Sequence, residues 1–591
     1  MEIYQANIEK LKSELALTAK KDRQLSYVRF FIVISAVFAG YQFFANQQLL
    51  WISITGLLVF VFLLLVKNHR TVKIRAAFLQ QKIDVNKREL HFLQKGDPLV
   101  FDGGEEFIQS NHNFSYDLDF FGHHSLFQSL NRAGTQAGKR ILANSLLNIP
   151  KIDLAKARQV AVKELAANVS WRQSILAWSQ LRPDDAESYQ GLLKWSRQEP
   201  KTLRNFARIL QYLLPALFLV CFALYLVLSS GLLGNVSGLL FLLNLAVFAS
   251  YGKALKQELT ATTQIEKTLR NYARMLVEVE GQAFESPLLK AVQQKLLHGD
   301  VCASKSIEKL ASLFGRMEHV TNIVASPLLN GSLLFHVHVL SGLNRWRAAH
   351  ASQVEVWLDA LGEIEFLSSL GNLSYNHPNF AFPKLNREKK IRFDDLGHPL
   401  LSEVQAVTNS VDLSGNRFFI LTGSNMSGKS TFLRALGTNM VLGSIGAPVF
   451  AKEAEIHPLP VFVSMRLTDN LTDSESFFYA EVKRLKLIME QLETEPCFIL
   501  LDEILRGTNS DDKRAGTMEV IKKMAAKQAY GGIATHDLEV CNVTEQFPQV
   551  LVNKRFEVQM DEDELFFDYK LRDGICENKS ASFIMKKMGV I

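Results

Sequence analysis

Thr422-Gly423-Ser424-Asn425-Met426-Ser427-Gly428-Lys429-Ser430-Thr431 follows the apolar run Arg417-Phe418-Phe419-Ile420-Leu421 and precedes a helix-compatible segment, Phe432 to Val441. Gly423 and Gly428 stand at the two ends of a G-x-x-x-x-G-K-S pattern. At such positions a loop exposes its backbone N–H groups to phosphate oxygens without obstruction by a Cβ. A helix starting near Lys429 adds its positive dipole end, Lys429 supplies a mobile charge for β- and γ-phosphates, and the Ser430 hydroxyl is placed to ligate Mg²⁺. The stretch reads as a P-loop with Gly423, Ser424, Asn425, Met426, Ser427, Gly428, Lys429, Ser430 and Thr431 as nucleotide-binding residues. The competing reading is a Gly/Ser turn that only joins a strand to a helix. The complete pattern in a strand–loop–helix setting favours the nucleotide.

About 70 residues downstream, Cys497-Phe498-Ile499-Leu500-Leu501-Asp502-Glu503 is an apolar strand ending in two carboxylates. A buried strand delivers Asp502 where it supports Mg²⁺ opposite Ser430, and Glu503 falls beside it to polarise an attacking water. Alone, a strand ending in Asp-Glu is as often a surface turn; behind a P-loop the catalytic reading wins. Strand-like runs at 418–421, 461–464, 498–501, 532–534 and 550–552 alternate with helical stretches, which predicts an α/β sandwich.

The 591 residues suffice for three or four domains, and a 48% hydrophobic content is ordinary for globular chains. Its distribution is not. Val28 to Phe44, Leu49 to Val66, Leu213 to Leu228 and Leu232 to Phe248 are almost free of charge. Each is roughly 16 to 18 residues, the lower edge of what spans a hydrocarbon core. They come in two pairs joined by Ala45-Asn46-Gln47-Gln48 and Ser229-Ser230-Gly231, so each pair reads as a transmembrane hairpin. Lys20, Lys21, Arg23 and Arg29 precede the first pair, and Lys67, Arg70, Lys73 and Arg75 follow it. Lys201, Arg204 and Arg208 precede the second, and Lys253 and Lys256 follow it. The positive-inside rule then predicts a multi-pass protein of the inner (cytoplasmic) membrane, four spanning helices, and everything outside the hairpins in the cytoplasm. The alternative is two helical hairpins buried in a soluble core. A cleaved signal peptide is not expected, since a second apolar span follows at once.

The net charge of +6 is exceeded by the basic residues just named, so it carries little argument for nucleic acid. Five cysteines without a C-x-x-C pair fit a reducing compartment and offer neither a disulfide framework nor a zinc site. Residues 1–27 carry Ile8, Leu11, Leu15 and Leu17 at helical spacing, which reads as an amphipathic helix entering the membrane or equally as a partner-binding coil.

Three further stretches carry a resemblance. His124 to Leu142 holds Asn131-Arg132-Ala133-Gly134-Thr135 and Gly138-Lys139-Arg140-Ile141-Leu142, and Ala157-Arg158-Gln159 follows on a long helical pattern. Ala360 to Leu373 precedes Asn379-Phe380-Ala381-Phe382-Pro383. Ile504-Leu505-Arg506-Gly507-Thr508-Asn509-Ser510 follows the Asp-Glu strand. Together with the P-loop, these resemble the core and ATPase domains of MutS-family proteins over roughly residues 117–200 and 340–589. Gly397-His398-Pro399-Leu400 and Val407-Thr408-Asn409 resemble the family's entry into its ATPase domain and add Asn409 to the nucleotide set. His536, at the end of Gly531-Gly532-Ile533-Ala534-Thr535, resembles the family's switch histidine and joins Glu503 and Lys429 as catalytic residues. Ser474-Glu475-Ser476-Phe477-Phe478-Tyr479-Ala480-Glu481 is similar to the segment that reaches a partner's nucleotide. Ser476 is its trans-acting dimer contact, although Phe477 replaces the usual Thr and Ser474 the usual Gly.

The expected fold is an α/β P-loop ATPase domain of the ABC/MutS type joined to an all-α MutS-like core that carries two transmembrane helical hairpins. The expected division is an N-terminal helix (1–27), hairpin 1 (28–66), the first part of the core (67–211), hairpin 2 (212–251), the second part of the core (252–383) and the ATPase domain (384–591). What the resemblance implies is a dimer binding ATP and Mg²⁺ at composite sites, coupled to mismatched or branched DNA as in DNA mismatch repair. Two departures stand against a full match: membrane spans occupy the place of the family's mismatch-reading domain, and the second hairpin takes the place of the DNA clamp. A second reading is therefore an ATP-driven membrane mechanochemical or gating protein without nucleic acid. An ABC transporter is a weaker third, for want of an L-S-G-G-Q segment.

Overall fold

The computed structural model describes residues 1–46, 48–199, 205–262, 265–298, 301–466, 477–561 and 564–576. Helices fill the first two thirds and a mixed α/β part the last. Two helices open the chain, α1 (Glu2–Asn46) and α2 (Leu49–Lys95), and they pack along each other as an antiparallel hairpin. The boundaries expected at 27/28 and 66/67 do not interrupt them: both apolar windows are continuous with charged helix. No glycine or proline stands at those points, so backbone hydrogen bonding propagates through them.

The two ends of this hairpin bury very different surfaces. At its base Ile8 and Leu11 pack on Leu79 and Ile83. Tyr4 donates from its hydroxyl to Asn376 Oδ1 (2.7 Å), Asn376 Nδ2 donates to Glu89 Oε2 (3.2 Å), and Glu89 pairs with Arg132 in the interior. A buried ion pair is tolerated only when its remaining hydrogen bonds are met, and here Ser129 and Asn131 carbonyls accept from the same guanidinium. At the other end Phe30, Phe31, Val37, Phe38, Phe60 and Leu63 are exposed. No other described residues cover them.

A second pair, α3 (Asn205–Leu228) and α4 (Gly231–Ser250), forms the other apolar hairpin. Among the described residues, four helices, counting both pairs, are long and apolar enough to cross a membrane. Against α4 lies α5 (Ala325–Leu333), an element that the sequence reading did not single out. Asn244, buried on α4, donates to the Gly331 carbonyl (2.8 Å), and a Cβ on Gly331 would lie 2.3 Å from the Phe241 ring. Only glycine lets the two helices approach this closely. Ile323, Val324 and Leu328 beside it face outward, fully or largely exposed.

From α5 the chain enters α6 (Phe335–Asn376), 42 residues and so about 60 Å long. Its C-terminal half is the axis of the helical core: Trp357, Leu361, Ile364, Phe366, Leu367 and Leu370 are buried. Glu365 on this helix receives the Gly134 N–H (2.9 Å) and the Thr135 hydroxyl. The two core stretches quoted above thus meet at one buried carboxyl, and a Cβ on Gly138 would lie 2.3 Å from its Oε2.

The α/β part holds a six-stranded sheet of β1 (Phe418–Thr422), β2 (Val461–Ser464), β3 (Phe498–Asp502), β4 (Tyr530–Ala534), β5 (Leu551–Asp561) and β6 (Glu564–Asp573), in the order β6-β5-β1-β4-β3-β2. All neighbours are parallel except β5 and β6. The strands β1, β2, β3 and β4 are buried throughout, as expected where both faces are covered. One face packs on α7 (Lys429–Ser444) and joins the core of the helical part. The other packs on α8 (Phe477–Leu492) and α9 (Ser510–Ala526). Gly531 in β4 has φ +118°, and a Cβ there would meet the Ile499 carbonyl at 2.0 Å, so the central strand pair requires glycine. A smaller four-stranded sheet, Lys384–Leu385, Arg392–Leu396, Asn409–Asp412 and Glu453–Ile456, precedes β1 and returns after α7; the sequence reading did not anticipate it.

Candidate functional site

Because β1, β4 and β3 are parallel neighbours, their C-terminal ends lie side by side. Residues leaving them converge at one edge of the sheet, where open α/β sheets place ligands. β1 leads into the loop 423–428, and Gly428 caps α7 with φ +99°. A Cβ on Gly428 would lie 3.1 Å from the Tyr569 ring, on top of its strained φ. β3 delivers Asp502 and then Glu503, whose φ of +49° turns the chain out of the strand. β4 delivers Thr535 and His536.

The side chains meet around a cavity of about 500 Å³. Lys429, almost fully buried, donates to the carbonyls of Gly423 (2.8 Å) and Ser424 (2.9 Å) in its own loop. Burial holds its ammonium below the usual lysine range, against the opposing pull of Asp502 and Glu503. The Ser430 hydroxyl donates to Asp502 Oδ2 (2.6 Å). This hydroxyl and carboxylate are adjacent hard oxygen donors, the set that Mg²⁺ takes when phosphates and water complete its shell. Ser424 and Ser427 hydroxyls are buried in the loop without a partner among the described residues, so the loop carries unspent hydrogen-bonding capacity.

Glu503 Oε1 lies 2.7 Å from His536 Nε2. A carboxylate accepts only, so Nε2 carries the proton and cannot also accept from Lys429, whose Nζ is 3.3 Å away. The hydrogen bond from His536 holds the Glu503 carboxyl down at about 2, with the His536 and Arg506 charges adding to it and burial opposing. Glu503 is therefore ionised, and its carboxylate only accepts hydrogen bonds. Arg506 donates to the carbonyls of Glu503 (2.9 Å) and Asp502 (3.2 Å), fastening the exit of β3.

Each residue of the expected nucleotide set from Gly423 to Thr431 lies in the loop or at the start of α7, and Asn409 lies across the cavity. Asn409 does not face open space: its Nδ2 donates to the Tyr569 carbonyl (3.0 Å) and its Oδ1 accepts from Leu571 N–H (2.8 Å), tying the small sheet to β6. Lys429, Ser430, Asp502, Glu503 and His536 are brought together. Ser476 lies outside the described residues. Two wall residues escaped the sequence reading as site residues. His398, whose imidazole is pushed down to about 4 by burial, was quoted only as a domain entry. Tyr569 reaches the loop only because β6 folds back on β5, which no local motif announces.

The cavity also connects to the helical core. Beyond α6, His377 Nδ1 lies 2.7 Å from Glu403 Oε1, and Asn379 donates to the other oxygen (3.0 Å). Glu403 belongs to the segment 401–407 that closes one side of the cavity. At the edge strand, Asp117 of the helical part accepts from the Met465 and Arg466 N–H groups (2.8 Å each) and pairs with Arg484 (3.0 Å), clasping the end of β2.

Comparison with known proteins places this architecture. Residues 419–590 match the family model MutS domain V. The chain is 26% identical over 287 residues to MutS protein homolog 4 of Homo sapiens, covering 47% of this chain and 28% of that protein. It is 28% identical over 241 residues to the DNA mismatch repair protein MutS of Thermotoga petrophila, covering 40% and 30%. For the protein of the same name from Leptospira interrogans the match is 26% over 337 residues, covering 55% and 36%. The chain thus spans about a third of the length of these curated relatives. Residues 419–590, the α/β part behind the helical part, thus match MutS domain V, and the chain is similar to MutS proteins.

Proposed function

We propose that this chain is a membrane-anchored, Mg²⁺-dependent ATPase of the MutS type, working as a homodimer with its ATPase domain in the cytoplasm and coupled to DNA binding. One observation carries the catalytic part: Lys429, Ser430, Asp502, Glu503 and His536 converge from three parallel strand ends on one cavity. In this reading the loop 423–428 is a P-loop. Its N–H groups and Lys429 bind the phosphates, Ser430 and Asp502 hold Mg²⁺, and Glu503, oriented by His536, takes the proton of the attacking water. Ser476 is assigned to the partner's nucleotide. The DNA component comes from the relatives, whose names include DNA mismatch repair proteins. The anchoring rests on the uncovered apolar ends of α1, α2, α3 and α4.

A second reading, an ATP-driven membrane device without nucleic acid, is favoured by α6. It starts at the helix packed on the second hairpin, ends at Asn376, to which the base of the first hairpin is hydrogen-bonded, and continues through His377 to the cavity wall. Titration of the detergent-solubilised chain with duplex and branched DNA separates the two. The leading reading expects binding that weakens steeply with salt and responds to ATP; no binding at low salt leaves the membrane device.

A further inference from the structure

A second cavity, about 550 Å³, lies partway along the first hairpin, where it meets the helical core. Its walls carry six cations: Arg29 from α1, Arg70 and Lys73 from α2, Arg182, and Arg270 and Arg274 from the helix Ile265–Gly281. Among the described residues one carboxylate lines it, Glu266, and Arg270 Nε already occupies that at 2.5 Å. His69 is also committed. It lies 2.7 Å from Asp22 Oδ1 through Nε2 and accepts from Arg29 through Nδ1 at 2.5 Å. That contact aims Arg29, whose Nε is buried without a hydrogen-bond partner among the described residues. Arg70, Lys73 and Arg182 have no ion-pair partner among the described residues. Burial, with the neighbouring cations Arg270, Arg70 and Arg182 adding to it, holds Arg274 below the usual arginine range.

The cavity sits at a chemical boundary. Val66, the last residue of the apolar window of α2, is part of its wall, and Arg29 is the second residue of the apolar window of α1. Immediately beyond them Val28, Phe30, Leu63 and Leu64 are exposed. We propose that this cavity binds the phosphate-bearing headgroup of an anionic phospholipid, leaving its acyl chains against those exposed side chains. The proposal rests on the reading of α1 and α2 as membrane-spanning. A lipid fits better than duplex DNA because the cations ring a concavity bordered by apolar surface, whereas a duplex needs an extended basic face.

The test titrates the full chain, purified in neutral detergent, with phosphatidylglycerol or phosphatidylcholine in mixed micelles and counts retained lipid by native mass spectrometry. Phosphatidylglycerol is expected to be retained in preference. Arg70→Gln with Lys73→Gln, at exposed positions, should weaken retention roughly fivefold for each charge removed. Lys20→Gln with Lys21→Gln, removing the same charge from α1 outside the cavity, should leave retention within about twofold. Equal losses in both double variants would mean general surface attraction and overturn the site. Displacement by equimolar inorganic phosphate would give the cavity to a soluble anion, and loss of duplex DNA retention in place of lipid would make it a nucleic-acid contact; either overturns the lipid. Alkaline carbonate extraction of membranes reads the anchoring separately. A chain released by carbonate overturns anchoring and lipid together, while one that stays but shows no lipid preference overturns the headgroup alone.

Discussion

Glu503 and His536, which leave neighbouring parallel strands, are joined by a 2.7 Å hydrogen bond in which the imidazole donates to the carboxylate. The pair fixes both the protonation and the aim of the group proposed to activate water. With its carboxyl held at about 2, Glu503 stays ionised across the whole range in which the protein is handled. Its depressed value contributes stability above the ordinary glutamate range, and that contribution is lost as pH falls through the folded value. Replacing His536 by Ala removes the largest lowering influence. The acid limb of the kcat–pH profile should therefore move to higher pH in His536→Ala, read by steady-state ATPase assays from pH 4 to 8. An unmoved limb would detach His536 from Glu503.

Arg506 braces the carbonyls of Asp502 and Glu503. Arg506→Ala should leave ATP affinity within a few-fold and lower kcat by roughly 10- to 100-fold, since each charge-assisted hydrogen bond is worth about 1.5–3 kcal/mol. Fluorescent-nucleotide titration alongside turnover checks the split. A loss of affinity with normal kcat would recast Arg506 as a binding residue.

The buried carboxyl of Glu365 is pushed up to about 7, by burial above all, while the Thr135 hydroxyl and Gly134 N–H pull the other way. A raised carboxyl favours the folded state below the ordinary glutamate range, and this advantage is lost as pH rises from about 4.5 to 7. The shift corresponds to about 2–4 kcal/mol. Glu365→Gln should flatten the pH dependence of the thermal unfolding midpoint across that interval, because an amide keeps both partners without titrating. A wild-type midpoint independent of pH there would remove Glu365 from this role.

The tie between His377 and Glu403 is where the long helix of the core meets the cavity wall. Glu403→Ala should leave basal ATP turnover within about threefold, because no catalytic group is touched. It should weaken any nucleotide-dependent movement of the hairpins, read as the change in distance between spin labels on the second hairpin and the ATPase domain. Retention of the full nucleotide response in Glu403→Ala would route the coupling elsewhere.

How far the sequence discloses this molecule depends on how local each feature is. The glycine-rich loop and the strand ending at Asp502 are legible because their chemistry is concentrated in a few consecutive residues. The apolar hairpins are legible because charge is missing over whole windows. Helix α5 is not: Ala325–Leu333 is short and carries Pro327, and nothing in its local spacing announces that it packs on α4. Tyr569 and Asn409 meet through the β5–β6 register, and the Glu365 cluster joins residues 230 positions apart. Such partners are set by topology, which no local spacing encodes. The small second sheet escapes because two of its strands are only four residues long and one only two.

The central claim is that the cavity at the ends of β1, β3 and β4 hydrolyses ATP with Glu503 as base. Its most direct test is Glu503→Gln, with Lys429→Ala as the comparison, each measured for equilibrium ATP·Mg²⁺ binding and for single-turnover hydrolysis in the full chain. The account predicts that Glu503→Gln binds ATP within a few-fold of the wild type and hydrolyses it about 10²- to 10⁴-fold more slowly, while Lys429→Ala loses binding itself. Wild-type hydrolysis by Glu503→Gln would contradict it.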